Sequence, residues 1–323
     1  MDPQVLILVP TLTQSPLSPE ETPLGRAALK LADEGIQAVF GAGDTTWCAK
    51  PGAWERTHSN NIIAVHDRFP SQSRPTEYEA ARSTIIDLPM GNPATITRLC
   101  RDKITCQQHL ESHGIPMPEI ESDPNKFADR LSTWRIAFLK PRYGGLGRGV
   151  HRVVPGDSMP AWGEGAVPGV EEPLFLQKAV SPPAGAVGVA MRWLLKRMPS
   201  GDWHPRTPVA RVSHADPVVN VARGAQAVPA REILSPDTLN SALELCQRAA
   251  RALQDSPNGQ WALEFGIDMV IDQQHTPHII EINSRPQGRL EHLALRGPAW
   301  RTEHIEACAQ PIRTLATLAK HTR

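Results

Sequence analysis

Runs of unbroken apolar residues, runs of alternating character and stripes with helical spacing follow one another along the chain, and their order predicts its elements. Val5 to Val9 is an apolar run. A Pro/Ser/Thr loop, a helical pattern from Leu24 to Glu34 and a second strand-like run, Ile36 to Phe40, follow it. This is a β-loop-α-β opening. Residues 41–60 read as loop, and Asn61 to Val65 as a strand that delivers His66, Asp67 and Arg68 at its end. Asn92-Pro93 predicts a helix start, with Asn as N-cap and Pro in the first position, and the helical composition runs to Gly114. Ile115-Pro116-Met117-Pro118 then forces extended chain. Ala137 to Pro141, Leu174 to Val180, Val187 to Leu195 and Val209 to Ser213 read as strands, with loops at 155–172, 199–205 and 220–224. Ser235-Pro236 opens the best helix, whose stripe is Leu239, Ala242, Leu243, Cys246, Ala249, Ala250 and Leu253. A closing helix is predicted from Glu303 to Lys320.

The stretch from Trp261 to Arg289 carries the densest chemistry. Alternate residues of a strand share a face, so Trp261, Leu263, Phe265, Ile267, Met269 and Ile271 point one way, and Ala262, Glu264, Gly266 and Asp268 the other. In the next run Ile280 and Ile282 lie opposite Ile279, Glu281 and Asn283, and the polar stretch Asp272 to Pro277 suits a hairpin connection. If the two strands pair, Asp268, Glu281 and Asn283 converge. Two carboxylates and an amide are hard oxygen ligands suited to Mg²⁺. The alternative is an amphipathic hairpin with a solvated acidic face.

Between Lys140-Pro141 and the next strand lies a loop with glycines at 144, 145, 147 and 149, which lets main-chain N–H groups approach an anion, with Lys140 and Arg148 adding charge. It lacks the Lys-Ser/Thr of a Walker loop and enters a strand, unlike a dinucleotide-binding turn. Arg192 and Arg211 sit inside strands, where each wants an anion or lies over apolar surface. His109 and His113 have zinc-helix spacing, but Leu110 stands where a metalloprotease has its Glu, and zinc is not expected. Asp67 and Arg68, at a strand end, either touch a substrate or form an ion pair.

A chain of 323 residues is long enough for two or three subdomains. Lys plus Arg and Asp plus Glu both number 34, so no overall field favours nucleic acid or an acidic membrane. No apolar stretch reaches membrane-spanning length, and the N-terminus lacks a basic secretion signal. Five cysteines without paired spacing suggest reduced thiols and a cytoplasmic protein.

From Asn92 to about Leu293 the sequence resembles the ATP-grasp enzymes, and is similar to their glutathione-synthetase-like branch and its spore-coat-associated relatives. The resemblance rests on an ordered series: Asp102-Lys103, the Ile115-to-Pro118 exit, Lys140-Pro141 with its glycine loop, Gln177-Lys178, Arg192, Arg211, Asn220 with Gly224, Asp268, and Glu281-Ile282-Asn283 followed by Arg285-Pro286. Ala190 and Ala225 depart from the family pattern, which blurs the substrate assignment.

The resemblance implies an α/β (α+β) ATP-grasp fold: a Rossmann-like pre-ATP-grasp domain at 1–91, a lid subdomain at 92–182 and a metal-bearing subdomain at 183–323. It implies ATP with two Mg²⁺ ions, or Mn²⁺, held by Asp268, Glu281 and Asn283. Lys103 and Lys140 would contact phosphates, Gly144, Gly145, Gly147 and Gly149 would close over them, and Gln177, Lys178 and Val180 would border adenine. Arg192, Arg211 and Lys140 would be catalytic. Asp67, Arg68, Asn220, Arg285 and Arg289 would face the substrate. The implied activity is amide formation between a small carboxylate and an amine through an acyl phosphate, in a homodimer as is common in similar enzymes; a small-molecule kinase or a non-catalytic ATP-binding protein are the alternatives.

Overall fold

The computed structural model describes residues 3–322 apart from 11–16, 43–45, 59–60, 71–73, 86, 146, 166–168, 186, 215–217, 220–223 and 287–289. Its strands form three sheets. The first contains β1 (Gln4–Leu8), β2 (Gln37–Gly41), β3 (Thr46–Lys50), β4 (Ala53–Thr57), β5 (Ile62–Asp67) and β6 (Met90–Gly91), in the order β4-β3-β2-β1-β5-β6. Its β1 is parallel to both β2 and β5. Both faces of β1 are covered, which explains its unbroken apolar run. Val5 and Ile7 pack with Ala27, Ala28 and Leu31 of α1 (Pro23–Asp33), whereas Leu6 and Leu8 pack with Val39, Val65 and Phe69.

The loop expected at 41–60 contains the antiparallel hairpin β3–β4 instead. It turns at Pro51-Gly52, where Gly52 has φ +83°, a conformation that favours glycine. β4 is mostly exposed at the sheet edge and carries little apolar alternation, so its sequence does not read as a strand. After β5, α2 (Pro75–Ser83) leads to β6.

One helix was expected from Asn92 to Gly114, but the chain forms two, α3 (Ala94–Arg101) and α4 (Lys103–Ser112). Asp102 breaks the path with extended backbone and caps α4, accepting from Thr105 N at 3.2 Å. Asn92 is no cap: Pro93 holds that position. The buried Asn92 amide accepts from Leu263 N at 2.6 Å and donates to the carbonyls of Glu264 and Ser284. Replacing Asn92 by Ala strands these buried backbone groups and is expected to cost about 3 kcal/mol of stability. Urea denaturation measures it, and a loss below ~0.5 kcal/mol would contradict the role.

The second sheet is antiparallel and contains β7 (Ile120–Glu121), β8 (Ala137–Pro141), β9 (His151–Val153), β10 (Trp162–Glu164) and β11 (Glu171–Lys178). Leu139, Val153, Leu174 and Leu176 pack on Phe127 and Leu131 of α5 (Phe127–Trp134). The short edge strand β10 lies where a loop was expected, because its three residues carry no apolar pattern.

The third sheet contains β12 (Gly188–Arg197), β13 (Trp203–Pro205), β14 (Val209–Ser213), β15 (Gln226–Pro229), β16 (Glu264–Ile271) and β17 (Pro277–Asn283), in the order β15-β14-β12-β16-β17 with β13 beside β12. The helix opened by Ser235 is α6 (Pro236–Gln254), which packs Ala242, Cys246, Ala249, Ala250 and Leu253 on one face of this sheet. After α7 (Leu290–Ala294), the closing helix α8 (Pro298–Thr322) is longer than expected, and its Ile312 and Leu315 join Val5 and Ile7 in the core of the first sheet. No helix among the described residues is long and apolar enough to cross a membrane.

Candidate active site

Strand alternation builds the site. Met191, Trp193 and Leu195 of β12 and Phe265, Ile267, Met269 and Ile271 of β16 point to the core with α6. Their neighbours therefore share the other face, where Arg192 stands opposite Asp268, and Asp268 opposite Glu281 of β17. Gly266 pairs with Asn283, and any Cβ there would meet Pro286 at 2.6 Å. One detail departs from the simple alternation. The register shifts between Asp268 and Met269, so Met269 faces Ile279 and Ile280 is the extra residue of a bulge. Ile279 and Ile282 both enter the core, whereas Ile280 joins Glu281 and Asn283 on the open face.

Asp268 is buried and held by two cations. Arg192 makes a paired contact with its carboxylate, Nε to Oδ1 at 2.9 Å and Nη2 to Oδ2, and Arg211 Nη2 donates to Oδ1 at 2.9 Å. Asn283 Nδ2 donates to Asp268 Oδ2 at 3.2 Å, which turns the amide oxygen of Asn283 away from that carboxylate. Glu281, half-buried beside them, accepts no hydrogen bond from the described residues. Among the described residues no three His, Cys, Asp or Glu side chains form a metal cluster. The set here is two carboxylates and an amide, a donor chemistry that fits a hard divalent cation with Glu281 as the carboxylate at hand. Asp268 would be shared between such a cation and the arginines.

The second sheet faces this set with lysines. Lys140 leaves β8 and donates to Gln177 Oε1 on the paired strand β11, its Nζ 5.8 Å from the centroid of Phe138. Burial pushes the Lys140 ammonium down to about 8, with Lys103 adding to the shift while Glu281 and Asp268 oppose it. Lys103, at the start of α4, donates to the carbonyl of Gly144. The same helix start is clasped to the glycine loop by a paired Arg142–Asp102 contact at 2.8 and 2.6 Å. Gly147 and Gly149 have φ +72° and +62°. At Gly149 a Cβ would also meet the Glu164 carbonyl at 2.3 Å, so that glycine is required by packing on β10.

These groups line one cavity of about 1750 Å³. The structure brings together Lys103, Lys140, Gly144, Gly145, Gly147, Gln177, Lys178, Val180, Arg192, Arg211, Asp268, Glu281, Asn283, Arg68 and Arg285 around it. Gly149 is not in the wall. Lys178 pairs outward with Glu119 at 2.6 Å, and Gln177 orients Lys140. Asn220 and Arg289 lie outside the described residues.

The first sheet closes the cavity differently from expectation. Asp67 is buried and does not reach the cavity; it accepts from Tyr78 Oη at 2.5 Å, from Phe69 N at 3.1 Å and from Arg285. Arg285 also donates to Phe69 O at 3.0 Å, tying the exit of β17 to the first sheet. Arg68 is held by Glu264 at 2.8 Å. Burial alone would raise the Glu264 carboxyl, but Lys196, Arg68 and His66 outweigh it and hold the group well below the usual carboxylate range. This buried cluster and the Asn92 clasp were missed in the sequence because their partners lie 68 to 198 residues apart. Of the His109–His113 pair, His109 Nε2 bonds Ala252 O at 2.9 Å and His113 Nδ1 bonds His109 O at 2.8 Å.

Residues 172–298 match the model of the YheC/D like ATP-grasp family. The D-alanine–D-alanine ligase of Bacillus anthracis aligns over 99% of this chain and 100% of its own, with TM-score 0.60 and 12% identity. The chain has the ATP-grasp fold. Other ATP-grasp structures agree in fold. An N5-carboxyaminoimidazole synthase of Aspergillus clavatus, solved with ADP and 5-aminoimidazole ribonucleotide, covers 96% of this chain and 79% of that one at TM-score 0.59 and 18% identity. A D-cycloserine synthetase covers 95% and 99% at TM-score 0.58 and 16% identity. No curated protein matches the sequence significantly. In ATP-grasp terms the cavity lies between the glycine-loop sheet, β7–β11, and the carboxylate-bearing sheet, β12–β17.

Proposed function

We propose that this chain is an ATP-dependent carboxylate–amine ligase acting through an acyl phosphate. The observation that carries the reading is the convergence, in one cavity, of Lys103, Lys140 and the glycine loop from one side with Arg192, Arg211, Asp268, Glu281 and Asn283 from the other. A cavity with cations on two walls and a hard-oxygen donor set at its floor suits in-line phosphoryl transfer, which needs positioning and charge stabilisation more than covalent chemistry.

In this reading a substrate carboxylate oxygen attacks the γ-phosphorus, ADP departs, and an amine nitrogen then displaces phosphate from the acyl carbon to give the amide. Lys103, Lys140 and the backbone of Gly144, Gly145 and Gly147 hold the phosphates. Arg192 and Arg211, fixed by Asp268, present guanidinium charge to the transferred group and the acyl oxygen. Mg²⁺, held by Glu281 and Asn283 with Asp268, would neutralise phosphate charge. Gln177, Lys178 and Val180 border the base. Arg285 and Asp67 hold the wall on the acid's side in place, beside Arg68.

The domain division would follow the three sheets, at 1–91, 92–182 and 183–323, with α8 returning to the first sheet. Substrates would be small molecules in the cytoplasm. The first test is calorimetric titration with ATP, with and without Mg²⁺. The reading predicts Mg²⁺-dependent binding that is lost in Lys140→Met; absence of binding with Mg²⁺ would overturn it.

A further inference from the structure

Two helices, α2 beside the first sheet and α3 packed on the core of the third, each turn a stripe to the cavity. In α2 the stripe is Pro75, Tyr78, Glu79 and Arg82; in α3 it is Ala94, Thr97, Arg98 and Arg101. Both have the i, i+3, i+4, i+7 spacing of a single helix face. Three guanidiniums thus border the cavity here against one carboxylate, Glu79.

Six other cations around the carboxylates and the glycine loop already have partners, and Arg135 and Arg152 line the cavity on the side of the glycine-loop sheet. Arg68 serves Glu264, Arg285 serves Asp67, Arg192 and Arg211 serve Asp268, and Lys103 and Lys140 serve Gly144 O and Gln177. Arg82, Arg98 and Arg101 form no ion pair with a described carboxylate. Arg82, half-buried, lies 5.7 Å from the centroid of the Tyr78 ring and donates to its hydroxyl at 3.2 Å, and Arg101 lies 5.8 Å from that of Tyr143. On the same α3 stripe the Thr97 hydroxyl is buried without a hydrogen-bond partner. Arg98 and Arg101 are exposed and Arg82 is half-buried; arginine cannot shed its charge, and a planar guanidinium suits carboxylate and phosphate oxygens in pairs.

We propose that the acid substrate carries, besides the carboxyl group that is activated, a second anionic group, carboxylate or phosphate, seated against α2 and α3 by Arg82, Arg98 and Arg101. This rests on the ligase reading of the same cavity and narrows its substrate class. Arg82 and Arg98 stand on the helix stripes and not among the residues assigned to ATP, so their removal should leave nucleotide binding intact.

Calorimetric titration of the full chain, with Mg²⁺ and a non-hydrolysable ATP analogue present, compares glutarate and phosphoserine with butyrate. At least one doubly charged probe is expected to bind about tenfold tighter than butyrate or more, a preference that Arg82→Ala or Arg98→Ala erases with nucleotide affinity unchanged. The ranking of glutarate against phosphoserine separates the two anions. Equal binding of all three probes, binding of none, or a parallel loss of nucleotide affinity in Arg82→Ala would overturn the proposal. If the wild-type chain does not bind the nucleotide analogue, the ligase reading fails instead, and the same ranking without nucleotide decides the role of the arginines.

Discussion

Glu281→Gln is expected to lower Mg²⁺-dependent ATP turnover by about 10²–10³-fold or more while leaving the fold's stability nearly unchanged. The asymmetry follows from its surroundings. Glu281 is half-buried and accepts no hydrogen bond from the described residues, so the fold loses no partner when its charge is removed. Its carboxylate nonetheless stands opposite Asp268 on the paired strand and within the electrostatic reach of Lys140. Asp268, by contrast, is the buried anchor of two arginines, and removing it would leave both charges unpaired, so loss of function there could reflect misfolding. Steady-state ADP release and urea melts of Glu281→Gln read the two effects separately. Retention of more than about a tenth of the activity would contradict its assignment as a metal-holding group.

Lys140→Met is the second large effect, with opposite signs on binding and stability. Folding moves the Lys140 ammonium from 10.5 to about 8, chiefly through burial. Between those values the unfolded chain binds the extra proton, so the stability of the metal-free protein rises with pH across that window. Below about 8 the burial penalty is present in full. At neutral pH the methionine variant therefore gains on the order of 1–3 kcal/mol of stability, and the gain disappears above the unfolded-state value. Nucleotide affinity should fall at least about tenfold, because the ammonium lines the cavity close enough to feel Glu281 and Asp268, where it would meet phosphate oxygens. Thermal melts across pH 7 to 11 check the first part and calorimetry the second. A destabilised variant, or one with wild-type affinity, would contradict the account.

Much of this architecture was legible in sequence because it follows local rules. Period-2 alternation placed Asp268 on the polar face of its strand and Glu281 with Asn283 on that of the next, and Ser235-Pro236 announced α6. The chain's exceptions are non-local or subtle. The bulge that sends both Ile279 and Ile282 into the core depends on the register with β16, which no period in β17 alone reveals. Asn92-Pro93 has the form of a helix cap, yet tertiary contacts with Leu263, Glu264 and Ser284 claim the side chain. Asp102 breaks a continuous helical pattern because its carboxylate holds both Thr105 and Arg142. At the candidate site the residues of the glycine-loop wall and of the carboxylate wall were named from pattern and family resemblance. The part of the cavity wall formed by α2 was not: Tyr78 and Arg82 lie in a helix that carries only one buried residue, Ala81, and so has little apolar stripe to read.

The most direct measurement of the central claim is ADP release with Mg²⁺ and ATP across a panel of amino acids, dipeptides and small di-acids, with hydroxylamine present to trap an acyl phosphate as its hydroxamate. The account predicts that at least one acid gives ADP, phosphate and hydroxamate in equal amounts, and that Glu281→Gln abolishes all three together. A stable phosphate ester accumulating with ADP, without hydroxamate and without free phosphate, would contradict it and make the chain a kinase.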